Sequence, residues 1–335
     1  GCGPRDHGMR STPHRLGRVP DRAAILPDLA LSRSVLDRRG DLRADPSLLT
    51  RLLADGDTRV LRLVGDRAAV IAGGSTGDGS DEVTRVVFDA PTPEDLDRLG
   101  LYLGDAAGVS YVGVVADDLT ASVEGNDAWR TLRQVGATLA DLDAHALVTT
   151  LALANWHRSH THCPRCGTPT EPVLSGWIRR CPADSSDHYP RTDSAVIMAV
   201  VDADDRLLLA RGRGFRGNGM SVLAGFVEPG ESLAAAVARE VLEEVGVAVT
   251  DVTYLGDQPW PFPSSLMLGF TARALDTDLH LQADEIEAAR WFSRDDLVAA
   301  LADGSVVISG QLSISRRIIE HWFGGPIDSP DIPLR

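Results

Sequence analysis

The chain has 335 residues, 43% of them apolar and 24% charged, so it is an ordinary globular protein of two or three domains and wholesale disorder is excluded. No apolar run reaches the roughly 18 residues that a membrane helix needs, so no membrane partner is expected. The net charge is −15 with no lysine, which excludes broad adhesion to a nucleic-acid backbone; an anionic ligand must be met by metal ions or by individual arginines.

Residues 1–19 are polar, lack the apolar core of a secretory leader and read as a disordered tail, with Met9 a candidate start and the basic stretch Arg5–Arg22 a solvated one. Residues 20–150 read as a mixed α/β domain. Its strand-like runs are "TRVLRLVG", "AAVIAG", "TRVVFDA" and "SYVGVVA", interrupted by the loop "GGSTGDGSDE". Helices are expected over "TPEDLDRLGLYL", with Thr92 as cap, over "DAWRTLRQVGATL" and over "DLDAHALVTTLALANWHRSH". No residue from 20 to 126 carries obvious chemistry, so that stretch reads as scaffold or dimerisation surface.

Of the four cysteines, Cys2 lies in the tail, while Cys163, Cys166 and Cys181 crowd into a compact insert, residues 158–190. That crowding argues for a metal rather than disulfides, and for a reducing cytoplasm. "CPRCG" is one knuckle of a zinc ribbon; the second, "CPAD", has Asp184 where a cysteine should stand. A carboxylate is an acceptable zinc ligand, so Cys163, Cys166, Cys181 and Asp184 form the expected structural set, with His188 or His162 as alternative fourth ligands and a metal-free insert left open.

Residues 191–325 read as an α/β domain, and 326–335 as a tail. "SAVIMAVVDADDRLLLARG" suggests a hairpin turning at Asp202–Asp205; "SVLAGFVEPGE" a strand and loop; "SLAAAVAREVLEEVG" a helix capped by Ser232; "VTYLGD" and "LMLGFTARAL" strands; "SISRRIIEHWF" a last helix. Within it, Gly225–Val247 fits G-x5-E-x7-R-E-U-x-E-E-x-G-U, U being apolar, at every fixed position. Seven fixed letters coincide about once in 10⁸ starts at ordinary residue frequencies, too rarely for a merely solvated acidic helix. Glu240, Glu243 and Glu244 share one helix face, where their mutual repulsion calls for cations; oxygen-only ligands favour Mg²⁺ or Mn²⁺. Arg239 can reach back to Glu231, and the Gly225–Gly230 loop lets backbone approach a phosphate. Such ions polarise phosphoryl oxygens and acidify bound water, so the expected chemistry is hydrolysis at phosphorus. Ten residues on, Pro259, Pro261 and Pro263 in "DQPWPFPSS" hold Trp260 and Phe262 on a stiff segment that can be neither helix nor central strand.

The box resembles the signature of the Nudix hydrolases, and "QPWPFPSS" resembles the arm motif of their NADH pyrophosphatase (NAD-capped RNA hydrolase) family, which also carries a zinc ribbon and its own N-terminal domain. The likeness covers roughly residues 20–325. It implies a Nudix α/β/α sandwich preceded by a zinc ribbon and a mixed α/β N-terminal domain. It also implies metal-dependent hydrolysis of NAD(H) to nicotinamide mononucleotide and AMP, removal of the NAD cap from RNA 5′ ends, and a homodimer.

Carried over, Glu240, Glu243 and Glu244 are catalytic, and Ala224 (through its carbonyl) and Glu285 join them at the metals, with Glu243 the expected base. Gln258, Pro259, Trp260, Pro261, Phe262, Pro263, Ser264 and Ser265 form the substrate-recognition arm. Phe226 stacks on the nicotinamide opposite Tyr189 from the partner subunit, Arg133 contacts substrate, and Ser315 lies against the ligand. Alternatives stay open: Phe226 and Tyr189 as ordinary core aromatics, Trp260 and Phe262 as wedges at a domain edge, an Arg133 that is only an ion-pair partner, a broad Nudix pyrophosphatase acting on ADP-ribose or other nucleoside diphosphate derivatives, and a non-catalytic NAD(H)-binding or zinc-ribbon adaptor. Asp257 stands where the motif keeps serine and would weaken binding if it faced the pyrophosphate.

Overall fold

A computed structural model describes residues 26–72, 83–116, 128–330 and 334. The expected tail over 1–19, Met9, Cys2 and the loop at 73–82 lie outside the described residues. Helix α1 (Leu48–Ala54) precedes strands β1 (Arg59–Val64), β2 (Arg67–Ala72), β3 (Thr84–Val86), β4 (Leu99–Ala106), β5 (Val109–Ala116) and β6 (Trp129–Thr131). These pair in the order β3–β2–β1–β5–β4, with β6 also on β2. After the single turn α2 (Leu132–Val135), helix α3 (Asp141–Ser159) lies across this sheet. Its Ala144, Leu147, Leu151 and Ala154 pack in one core with Leu61, Leu63, Leu101 and Leu103.

Two expected helices are corrected here. In "TPEDLDRLGLYL" only Pro93–Asp97 forms a 3-10 turn, closed by Thr92 N–H donating to Asp95 Oδ2 at 2.8 Å. The remainder enters β4, because Leu101, Tyr102 and Leu103 are wholly buried and pair along β5. In "DAWRTLRQVGATL", Trp129–Thr131 extends the sheet by pairing with β2, which leaves one helical turn. In both stretches ladder pairing with a distant strand overrode a local helical pattern.

The insert forms a small sheet of β7 (Glu171–Val173), β8 (Ile178–Arg180) and β9 (Asp187–His188). Then follow β10 (Asp193–Val201), β11 (Leu207–Gly212), β12 (Gly219–Met220), β13 (Leu223–Phe226), α4 (Leu233–Val245), β14 (Val249–Trp260), β15 (Ser265–Ala274), β16 (Ile286–Phe292), α5 (Arg294–Ala302), β17 (Val307–Ile308) and α6 (Ile314–Phe323). The main sheet runs β14–β15–β10–β11–β16 with β13 on β10, and β12 pairs β17.

The central strand β10 is apolar on both sides, which is why helices cover both faces. Val196, Met198 and Val200 pack with Val237 and Val241 of α4, while Ile197, Ala199 and Val201 pack with Ile314, Ile318 and Ile319 of α6. The result is the expected α/β/α sandwich. The hairpin turns where Asp202 Oδ1 accepts from Asp204 N–H (3.0 Å) and Arg206 N–H (2.8 Å). Strand β14 is an edge, where a sheet tolerates Pro259.

Candidate active site

Helix α4 sets the carboxylates. Ser232 Oγ accepts from Ala235 N–H at 3.2 Å and fixes the start, and Gly246 at φ 76° ends the helix. The apolar stripe of Ala236, Val237, Val241 and Val245 is buried against the sheet, which drags Glu240 and Glu244 under cover while Glu243 stays at the rim. The segment bearing Glu285 is tied back to the same helix: Gln282 N–H donates to Glu244 O (2.9 Å), and Glu285 N–H donates to Gln282 O (3.0 Å).

Arg239 organises the rim. It donates to Glu231 (2.6 Å), Glu240 (2.9 Å), Glu243 (3.0 Å) and the carbonyl of Phe226 (2.9 Å), joining the loop after β13 to the acidic helix. The expected brace to Glu231 is therefore present and extends to two carboxylates. Gly225 has a reason other than the one expected for it: a Cβ there would overlap the carboxylate of Glu240. The glycine makes room for an acid.

The cluster fits divalent cations. Burial first, then the charges of Glu240, Glu285 and Glu243, push the Glu244 carboxyl up to about 8. Burial also raises Glu240 despite its bond to Arg239. Glu244 Oε2 is buried with no hydrogen-bond donor, a costly state for a carboxylate unless a cation approaches it. Glu240, Glu243, Glu244 and Glu285 are the side chains that would share such ions, and exposed Ala224 precedes on β13 the Gly225 against which Glu240 packs.

The arm is the end of β14 and its turn into β15: Pro259 pairs with Leu266 and Trp260 with Ser265, and Pro261 to Ser264 make the turn. Its aromatics are partly buried against the N-terminal core, edge to face at 4.9 Å. Arg133 lies over both rings, its guanidinium 3.9 Å from the Phe262 centroid and 5.5 Å from that of Trp260. A cleft of about 330 Å³ opens there, lined by Asp66, Thr131, Arg133, Asn155, Phe262 and Pro263 among others.

Two expected ligand contacts sit elsewhere than on the surface. Gln258 is wholly buried, donating to Leu312 O at 2.9 Å and accepting from Leu31 N–H at 3.4 Å. Ser315 is buried and bonded to Ser221 Oγ at 2.7 Å. Both brace what surrounds them. The Asp257 carboxylate accepts from the Tyr254 hydroxyl. Ser264 Oγ donates to Asp193 at 2.8 Å, fixing the turn to the start of β10. Phe226 and Tyr189 are 60% and 67% exposed, unlike core aromatics.

In the insert, ligand atoms of Cys163, Cys166, Cys181 and Asp184 lie within 4.8 Å of one another. The knuckles are copies. Gly167 N–H donates to Cys163 O, and Ser185 N–H to Cys181 O, each at 2.9 Å. Gly167 (φ 74°) and Ser185 (φ 58°) share the left-handed conformation that closes each loop. Asp184 thus holds the position equivalent to Cys166, with Ser186 N–H and Oγ on its Oδ1, and those bonds hold its carboxyl below the usual range. His188 instead contacts Ser186 Oγ, and His162 contacts Thr161 Oγ1. The set fits a structural zinc ion.

Comparison with known proteins agrees with this geometry. A NUDIX domain model matches residues 190–308, and a model of the NADH pyrophosphatase zinc ribbon domain matches residues 158–189. NAD-capped RNA hydrolase NudC of Mycobacterium bovis (strain BCG / Pasteur 1173P2) is 39% identical over 245 residues, 70% of this chain and 77% of that protein. NAD-capped RNA hydrolase NUDT12 of Homo sapiens is 38% identical over 196 residues, 55% of this chain and 42% of that protein. Among solved structures, a NUDIX hydrolase from Nitrosomonas europaea aligns at TM-score 0.39 and 21% identity, over 50% of this chain and 94% of that one. Sandwich and acidic box together are those of a Nudix hydrolase, and the chain belongs to the NADH pyrophosphatase (NAD-capped RNA hydrolase) family of that superfamily.

Proposed function

We propose that this enzyme hydrolyses the pyrophosphate of NAD(H) to nicotinamide mononucleotide and AMP, and removes the NAD cap from RNA 5′ ends to leave 5′-monophosphate RNA. The observation that carries this reading is the buried, donor-less Glu244 oxygen inside a four-carboxylate cluster, on a chain whose relatives are named for NAD-capped RNA. Mg²⁺ or Mn²⁺, when bound, would neutralise the pyrophosphate and acidify a water. The chain's own contribution is to hold Glu240, Glu244, Glu285 and the Ala224 carbonyl around that site. Glu243, at the exposed rim and oriented by Arg239 at 3.0 Å, takes the proton of the attacking water.

Phe226 offers an exposed ring for the nicotinamide, and in a homodimer the partner subunit's Tyr189 would face it. Pro261, Phe262 and Pro263 of the arm, with Arg133, line the cleft that selects this substrate among pyrophosphates. With a net charge of −15, RNA is held by its cap and first nucleotides. Three free thiols in the ribbon support a reducing, cytoplasmic setting. No helix among the described residues is long and apolar enough to cross a membrane. The test is chromatography of the products from NADH and from NAD-capped RNA with Mg²⁺ and then Mn²⁺. Nicotinamide mononucleotide (reduced, from NADH) with AMP or 5′-monophosphate RNA is expected, and intact substrate with both ions would overturn the reading.

A further inference from the structure

Alternating prolines leave the arm short of its own hydrogen bonds: Pro259, Pro261 and Pro263 have no N–H, and beyond Trp260 the ladder to β15 stops. Trp260 O accepts from Phe262 N–H within the arm, at 2.7 Å, but the carbonyls of Pro261 and Pro263 find their donor elsewhere. One side chain of α3 serves both. Asn155 Nδ2 donates to Pro261 O at 2.9 Å and to Pro263 O at 3.1 Å, across more than 100 residues of chain. Its Oδ1 accepts from Arg158 Nη2 at 2.5 Å, and Arg158 Nη1 donates to Gly65 O at 3.2 Å, in the turn between β1 and β2. Carbonyls only accept and guanidinium only donates, so these partners leave the amide one orientation.

The same half of the molecule grips the arm twice more. Leu31 N–H reaches Gln258, and Ser32 Oγ donates to Asp257 O at 2.6 Å. By contrast, the acidic helix is braced by Arg239 and Glu231 from within its own motif.

We propose that Asn155 is a positioning residue for substrate selection, and that the N-terminal sheet with α3 serves to hold the recognition arm in register with the catalytic carboxylates. This rests on the NAD(H) reading above. Asn155 touches no reacting atom and acts through Trp260 and Phe262, whose placement follows from the carbonyls it fixes. Replacing it by aspartate keeps size and the bond to Arg158 but turns an acceptor toward two acceptors, so the arm is released.

The experiment is steady-state kinetics of N155D on NADH, together with tryptophan emission measured in parallel in a Trp260→Phe background. KM for NADH is expected to rise about tenfold, the equivalent of one or two lost hydrogen bonds, with kcat changed by less than about threefold. An emission change is expected in N155D and not in N155D/W260F. Should N155D fail to fold, Arg158→Gln, which loosens the amide without removing its donors, is expected to raise KM in the same direction by a smaller factor. Unchanged KM in a folded variant, or a fall in kcat alone, overturns the proposal. A wild-type enzyme inactive on NADH would overturn the substrate reading instead. The Trp260 signal then still decides, since an arm that does not move in N155D is not held by Asn155.

Discussion

The acidic helix and the aromatic arm serve one site but are held in opposite ways. Every brace on Glu240 and Glu243, from Glu231 through Arg239 to the Phe226 carbonyl, comes from within Gly225–Val247. Beside Leu312 and Asp193 of its own domain, the arm is braced by Leu31, Ser32, Arg133 and Asn155, some 100 to 230 residues away in sequence. A catalytic element assembled from its own motif can travel between proteins intact. A selecting element held from outside depends on the particular protein around it.

The largest effect that would break this contrast is on the helix. Glu244→Gln is expected to lower turnover by about 10³-fold or more, since it removes a carboxylate from where the divalent ions would bind. Circular dichroism and the arm's tryptophan emission should stay unchanged, because nothing in the arm leans on Glu244. Near-normal turnover would sink the assignment of the carboxylates.

A middling effect is expected on the arm's side. His145 of α3 accepts from Val35 N–H (3.0 Å) and Leu36 N–H (3.1 Å), in the segment that also grips Asp257 and Gln258. Burial, and then the charge of Arg38, lower it from 6.5 to about 4. The unfolded chain takes up this proton near 6.5 and the folded chain only near 4, so stability contributed here falls as pH drops through that window. The protection factors of the Val35 and Leu36 amides, taken relative to the intrinsic exchange rate at each pH, should fall between pH 6.5 and 4, and His145→Gln should flatten that dependence. An equal slope in the variant would remove His145 from the account. The smallest effect is expected from Asp257→Ser: its carboxylate is engaged by Tyr254, so KM for NADH should move by less than about twofold. A tenfold gain in affinity would mean that the carboxylate does face the pyrophosphate.

The same contrast explains what could be read from sequence. The box, its cap at Ser232, the Arg239–Glu231 brace and the two knuckles are short-range and legible in residue spacing. The false helices at 92–103 and 127–139 were lost to pairing with β5 and β2, which no local pattern announces. Gln258 reads as a ligand contact from its place in the motif; its burial depends on Leu31 and Leu312. Asn155 carries no signal of its own, being one of nine polar residues in a nineteen-residue helix, and its partners lie in a loop more than a hundred residues downstream.

Gly225 has a consequence for how this enzyme can diverge. The space its missing side chain leaves is filled by the carboxylate of Glu240, so the two positions are mutationally locked. A larger residue at 225 evicts the acid, and shortening the acid leaves a hole that a larger residue at 225 could then fill. Positions 225 and 240 should therefore co-vary across related chains or not vary at all, and a library randomised at either one alone should return the parental residue.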